Sequence, residues 1–174
     1  EAFAAWSSPV ALAKIVVLFL GFAVQSSVEE ILFRGWLLSA VARKLNVTLG
    51  VILTCVVFML LHYSPHQHWS LMLGTFLFSL FTCAWTLSSG NIWGVMGWHA
   101  AWNWWIAVGF ELPITGIETH LPALLVQLTP SGPEVLHGGA EGPEGSFLCT
   151  LFFAAASALL FWKRHREQLR GLRC

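Results

Sequence analysis

Five stretches of almost unbroken apolar residues run along the chain, each near the ~20 residues that carry an α-helix across a bilayer. The first starts at about Pro9 and continues to Val41 or Ala42. It is longer than one crossing, and reads either as one long tilted helix or as a helix broken near Gln25-Ser26-Ser27. The second is Val47–Tyr63, closed by Pro65, which disfavours helical geometry at Ser64. The third, Trp69–Leu87, ends in the turn Ser88-Ser89-Gly90-Asn91, and the fourth, Ile92–Leu112, ends at Pro113. The fifth is Ser146–Trp162. Between the last two lies Pro113–Gly145, rich in Gly and Pro and too long for a simple turn, so it is expected to fold partly back over the bundle. No internal repeat is visible. The pattern predicts an all-α fold: a polytopic transmembrane helix bundle forming one domain over residues 1–174. Its motif-bearing core spans about residues 20–110, with the loop at 113–145 and a basic tail at 163–174.

Composition supports the bilayer as the principal partner. Of 174 residues, 56% are hydrophobic and 10% charged, against about 25% charged in a soluble domain. Aspartate is absent, while ten tryptophans and thirteen phenylalanines suit membrane interfaces and crowded bundle interiors. Zero net charge gives no reason to expect a nucleic-acid partner. The chain opens on Glu1 without a signal peptide, and reads as a fragment or processed chain with earlier helices missing. Cys55, Cys83 and Cys149 lie in apolar runs without CxxC or Cys/His spacing, which points to buried small hydrophobes rather than zinc ligands or disulfides. Cys174 is the last residue, so it cannot head a C-a-a-X prenylation box.

Against that background the segment Ser26–Leu38, SSVEEILFRGWLL, is anomalous. A charge at the centre of a spanning helix costs roughly 2.5–3.5 kcal/mol, so Glu29, Glu30 and Arg34 together cost about 8–10 kcal/mol before pairing. At 1.5 Å per residue, counted from the cytoplasmic ends that the charge pattern below assigns, Glu29 and Glu30 lie roughly 20 Å in, His62 about 22 Å, and His99 and Asn103 roughly 14 and 20 Å. Polar side chains on three helices therefore converge in one slab. Glu30 and Arg34 are four residues apart and can pair on one helix face, while Glu29, turned by about 100°, points elsewhere. Phe58 and His62 share a face, as do His99 and Asn103. Gly94 and Gly97 would let another helix or a substrate approach the fourth span closely. A glutamate beside a histidine can activate water as a general base, and a second histidine with an asparagine can supply oxyanion donors.

The three segments EEILFR (Glu29–Arg34), FMLLH (Phe58–His62) and HAAWN (His99–Asn103) match, in order, the motifs EExxxR, FxxxH and HxxxN. In this the chain resembles the CAAX-protease and bacteriocin-processing (CPBP, or Abi) family of intramembrane endopeptidases. The stretches FELPITG and GPEGS resemble the bacterial branch, which would put the protein in a bacterial inner membrane. The resemblance implies a glutamate-type protease with no metal and no cofactor. Glu29 and His62 would activate the water, His99 and Asn103 would form the oxyanion hole, and Glu30, Arg34 and Phe58 would support the site. It also implies a peptide or protein substrate. Prenylated C-termini, leader peptides and sorting-signal precursors are all processed within the family, and no residue here chooses among them.

Rival readings remain at this level. Intramembrane Glu, His and Arg also mark transporters and proton relays, and a non-catalytic immunity or scaffold protein could keep the fold. His66 and His68 follow the helix-breaking Pro65 region and read as a solvated turn, and the tryptophans of GWHAAWNWW as packing and interfacial anchors.

Charge sets the expected orientation. Arg43-Lys44 follows the first span and Lys163–Arg170 the fifth, with four crossings between, while the 113–145 loop carries Glu118, Glu134, Glu141 and Glu144 and no Lys or Arg. The positive-inside rule then makes the C-terminus cytoplasmic. In a cysteine-free background, single cysteines beside Lys44 and at His165 should label from the cytoplasmic face and one at Glu134 from the opposite face. Outside labelling at His165 would overturn the orientation.

Overall fold

The structure, a computed structural model, describes residues 1–171; Cys174 and the end of the basic tail lie outside the described residues. Helix α1 runs without interruption over Pro9–Lys44, α2 over Val47–Leu61, α3 over Trp69–Ser89 and α4 over Trp93–Trp104. A short helix α5, Glu134–His137, lies in the long loop, and α6 spans Phe147–Gly171. No strand occurs among the described residues. Three helices are long and apolar enough to cross a membrane: α1, α3 and α6. Helix α2 is apolar but shorter, and α4 gains its length from a π turn, Trp105–Gly109.

Local chemistry marks the ends. Ser8 caps α1 by accepting from the Ala11 N–H, with Pro9 at the first helical position, where its missing N–H costs nothing. Asn46 caps α2 through the Leu49 N–H at 2.8 Å. Helix α3 stops at Gly90, whose φ of 73° supplies the left-handed turn that closes a helix cheaply. Of the two readings of the first span, the structure has the single long helix and no break near Gln25. Instead, α1 widens into a π segment, Ile31–Leu37, immediately after the two glutamates. Helix α6 also departs from expectation by continuing through the basic stretch, where Lys, Arg, Glu and Gln favour helix. Arg164 donates to the Leu87 carbonyl there, tying α6 to the end of α3.

The bundle is apolar outside and polar inside at one level. On α1, Val17 and Val24 are 67% and 66% exposed, whereas Glu30 and Arg34 are fully buried. That inversion is what hydrocarbon solvent requires, because unpaired charge facing lipid is costly and an exposed valine is not. The principal pairings are α3 with α6 and the first part of α1 with α4; the end of α1 packs on α2. A central aromatic cluster of Phe33, Phe58, Phe78, Phe81 and Phe153 joins α1, α2, α3 and α6. The loop after α4 folds back on the bundle, its Leu124 and Leu125 N–H groups bonding the Val108 and Gly109 carbonyls. The chain's first residues pair with the same loop, Phe3 donating to Leu125 and Ala5 to Ala123.

Candidate active site

Glu29, Glu30, Arg34 and His62 sit where an element changes geometry, whereas His99 lies within a regular helix. Glu29 and Glu30 end the regular part of α1, and Arg34 lies inside the π segment. Such wide turns often mark functional sites, since they redirect side chains without breaking the helix. His62 is the residue just past the end of α2, while His99 and Asn103 are buried on α4, one turn apart.

The ion pair is formed. Glu30 Oε1 accepts from the Arg34 guanidinium at 3.1 Å, with both side chains fully buried. Two further guanidinium nitrogens, Nε and one Nη, have no hydrogen-bond partner. Their charge is met by ring faces: the guanidinium carbon lies 4.4 Å from the centre of Phe58 and 5.9 Å from those of Phe33 and Phe78. Phe58 also stacks on His62, ring centres 4.3 Å apart. It therefore stands in contact with both the cation and the imidazole.

Glu30 has a second role that spacing alone does not suggest. Its Oε1 also accepts from His99 Nδ1 at 2.9 Å, linking α1 to α4. His62 Nδ1 donates to the Phe58 carbonyl at 2.8 Å. Carboxylate and carbonyl oxygens only accept, so both imidazoles carry their Nδ1 proton and present Nε2 to the interior. Both Nε2 atoms face Glu29 Oε2, at 4.0 Å from His62 and 3.9 Å from His99. Gln25, one turn earlier on α1, donates to Glu29 Oε1, and Oε2 has no partner.

His62, His99 and Asn103 line a cavity of about 70 Å³ together with Gln25, Thr115 and Glu144. That is room for water but not for a peptide. The structure thus brings Glu29, Glu30, Arg34, Phe58, His62 and His99 into contact and places Asn103 on the shared cavity wall. His66 and His68 stay in the exposed turn before α3, where His68 caps the helix. Trp98 and Trp102 stack within the aromatic core, and Trp104 bonds the Ile15 carbonyl, so these rings pack the bundle. Among the described residues, no group of three or more His, Cys or Glu side chains is placed to hold a metal ion.

Sequence reasoning missed Gln25, the Glu30–His99 bond and Glu144. Gln25 had a signal, its spacing of four residues before Glu29. The other two contacts span 69 and 42 residues and leave no local trace.

A helical bundle with an apolar exterior and a closed carboxylate–imidazole–guanidinium cluster is an intramembrane polar site. Comparison with protein families matches residues 11–105 to the type II CAAX prenyl endopeptidase Rce1-like family. The match covers more than half of the chain and every motif residue from Glu29 to Asn103, so the chain belongs to that family. At the family level it is a CAAX-type intramembrane protease. Neither the curated proteins nor the solved structures returned a match.

Glu30→Gln should destabilise the protein by about 3–5 kcal/mol, because Arg34 is left charged and unpaired among apolar groups. Combining it with Arg34→Met should recover much of the thermal midpoint. Cleavage should recover only in part, since the glutamine amide oxygen still accepts from His99 Nδ1 but brings no negative charge to the imidazole. A single Glu30→Gln variant that melts like wild type would remove the ion pair from its structural role.

Proposed function

We propose that this protein hydrolyses a peptide bond of a membrane-associated peptide with a water activated by Glu29 and His62. The observation that supports this best is the convergence of three lone-pair acceptors. Glu29 Oε2 and the two Nε2 atoms face one another at 3.9–4.0 Å, too far for direct hydrogen bonds and suited to one bridging water. Such a water gives its two hydrogens to two of the acceptors and keeps its oxygen lone pairs free for attack.

The reaction then proceeds without a covalent intermediate. The water oxygen bonds the scissile carbonyl carbon while its proton passes to Glu29 or His62. The carbonyl oxygen becomes an oxyanion beside Asn103, whose amide N–H donates in any protonation state, and His99, which takes a proton from solvent at Nε2 and then donates it as imidazolium. Collapse breaks the C–N bond, and the proton held by Glu29 or His62 returns to the leaving nitrogen. Gln25 holds Glu29 Oε1 and so presents Oε2; Glu30 fixes the His99 ring through Nδ1, and Arg34 balances its charge. No step calls for a metal ion. The family description makes prenylated C-terminal peptides the first substrate class to try, with leader and sorting-signal precursors next.

Glu29→Gln keeps size and removes the base. Cleavage of a fluorogenic prenylated CAAX peptide by the purified protein should fall by roughly 10²–10⁴-fold, the usual worth of general base catalysis. Its thermal midpoint should be retained. The wild type should keep its activity after exhaustive chelation. Full activity in Glu29→Gln would refute the assignment, and chelator loss restored by zinc would refute the metal-free route.

A further inference from the structure

Glu144 belongs to none of the three motifs EExxxR, FxxxH and HxxxN; it stands in the GPEGS stretch, in a loop outside the matched residues, yet its side chain reaches the same cavity. It sits in the short turn Pro143–Gly145, which rests against α3 at Gly74; a Cβ there would strike the Glu144 carbonyl. Its carboxylate is held at both oxygens. Oε1 accepts from Trp102 Nε1 at 2.9 Å and Oε2 from the Thr115 backbone N–H at 3.0 Å. Burial pushes the Glu144 carboxyl above the usual carboxylate range, opposed by those two N–H donors and by His99 and His62.

Both donors sit at telling positions. Trp102 immediately precedes Asn103 on α4 and packs on Phe153 of α6, ring centres 5.5 Å apart. Thr115 has a φ of 48°, a conformation strained for a β-branched residue and maintained only by its surroundings. One carboxylate therefore connects the loop after α4, the turn before α6 and the helix that carries His99 and Asn103. A glutamine cannot replace it, since a single amide oxygen satisfies only one of two converging donors.

We propose that Glu144 is a positioning residue of the hydrolase, clamping the 113–145 loop onto α4 through Trp102 and Thr115 and so holding the cavity wall beside Asn103. This rests on the reading that the peptide is cut at the edge of this water-sized cavity. Displacement of an oxyanion donor by about an ångström costs on the order of 10²-fold in rate. The role is therefore visible in turnover rather than in substrate binding.

The test uses the full chain in detergent or vesicles, with the fluorogenic prenylated CAAX peptide and with Glu29→Gln as control. Glu144→Gln should lower kcat by roughly 10–100-fold, with KM within about threefold and the thermal midpoint kept. Trp102→Phe removes one donor and keeps a ring; it should lower kcat too, and the double variant should fall no further than Glu144→Gln alone. Hydrogen–deuterium exchange at residues 113–117 should quicken in Glu144→Gln whatever the activity. Wild-type kcat in Glu144→Gln, additive losses in the double variant, or unchanged exchange would each overturn the clamp. A wild-type protein that cleaves no better than Glu29→Gln would count against the hydrolase reading instead, leaving the clamp to be decided by exchange.

Discussion

The Glu30–Arg34 pair is the constraint from which the rest of the site follows. A carboxylate and a guanidinium enclosed among apolar helices must neutralise each other, and neither can be satisfied by the other alone. Glu30 uses its remaining capacity on His99, and Arg34 uses its uncovered faces on Phe58. Those two contacts reach α4 and α2, so a pair within one helix ends up orienting both imidazoles. Glu29 is left as the carboxylate without a cationic partner at hydrogen-bond distance. The separation of a neutralised from an available carboxylate arises from one residue of helical rotation and one arginine.

Much of this is legible in the sequence because it depends on short spacings and on the cost of charge in hydrocarbon. The Glu30–Arg34 pair follows from a four-residue interval, and the meeting of three helices from counting residues inward from their expected cytoplasmic ends. Helix starts at Pro9 and Val47 and the stop at Gly90 can be read from capping residues. What could not be read depends on geometry that no residue type announces. Nothing in ILFRGWL specifies a π turn over an α turn, since that choice is made by packing against α2 and α3. The bond from Glu30 to His99 requires knowing the rotation of α4. The GPEGS stretch is noticeable as a family likeness, but nothing in it gives Glu144 a role that Glu118, Glu134 and Glu141 lack, and only the fold-back of the loop turns it inward.

The aromatic residues carry more than bulk. Phe58 contacts the cation through one set of interactions and the imidazole through another, and Phe78 adds an edge-on contact with His99 at 4.7 Å between ring centres. Rings can surround a buried charge without supplying competing hydrogen-bond donors or acceptors. The polar atoms of the site thereby keep few partners apart from one another, which suits the proton transfer proposed for Glu29 and His62.

The wide turn at Ile31–Leu37 has a further effect on the whole bundle. An inserted residue rotates everything beyond it by about 100° relative to an unbroken α-helix. The early part of α1 sends Ile15 and Phe19 toward Trp104 of α4, whereas Leu38 and Ala42 meet α2 at Gly50. At a constant 100° per residue, Phe19 and Leu38 would lie about 100° apart around the helix, and Ile15 and Ala42 on opposite sides. The swivel takes out roughly one residue of rotation between the two halves, so it sets which face of the later half meets α2, at the level where the charges turn inward.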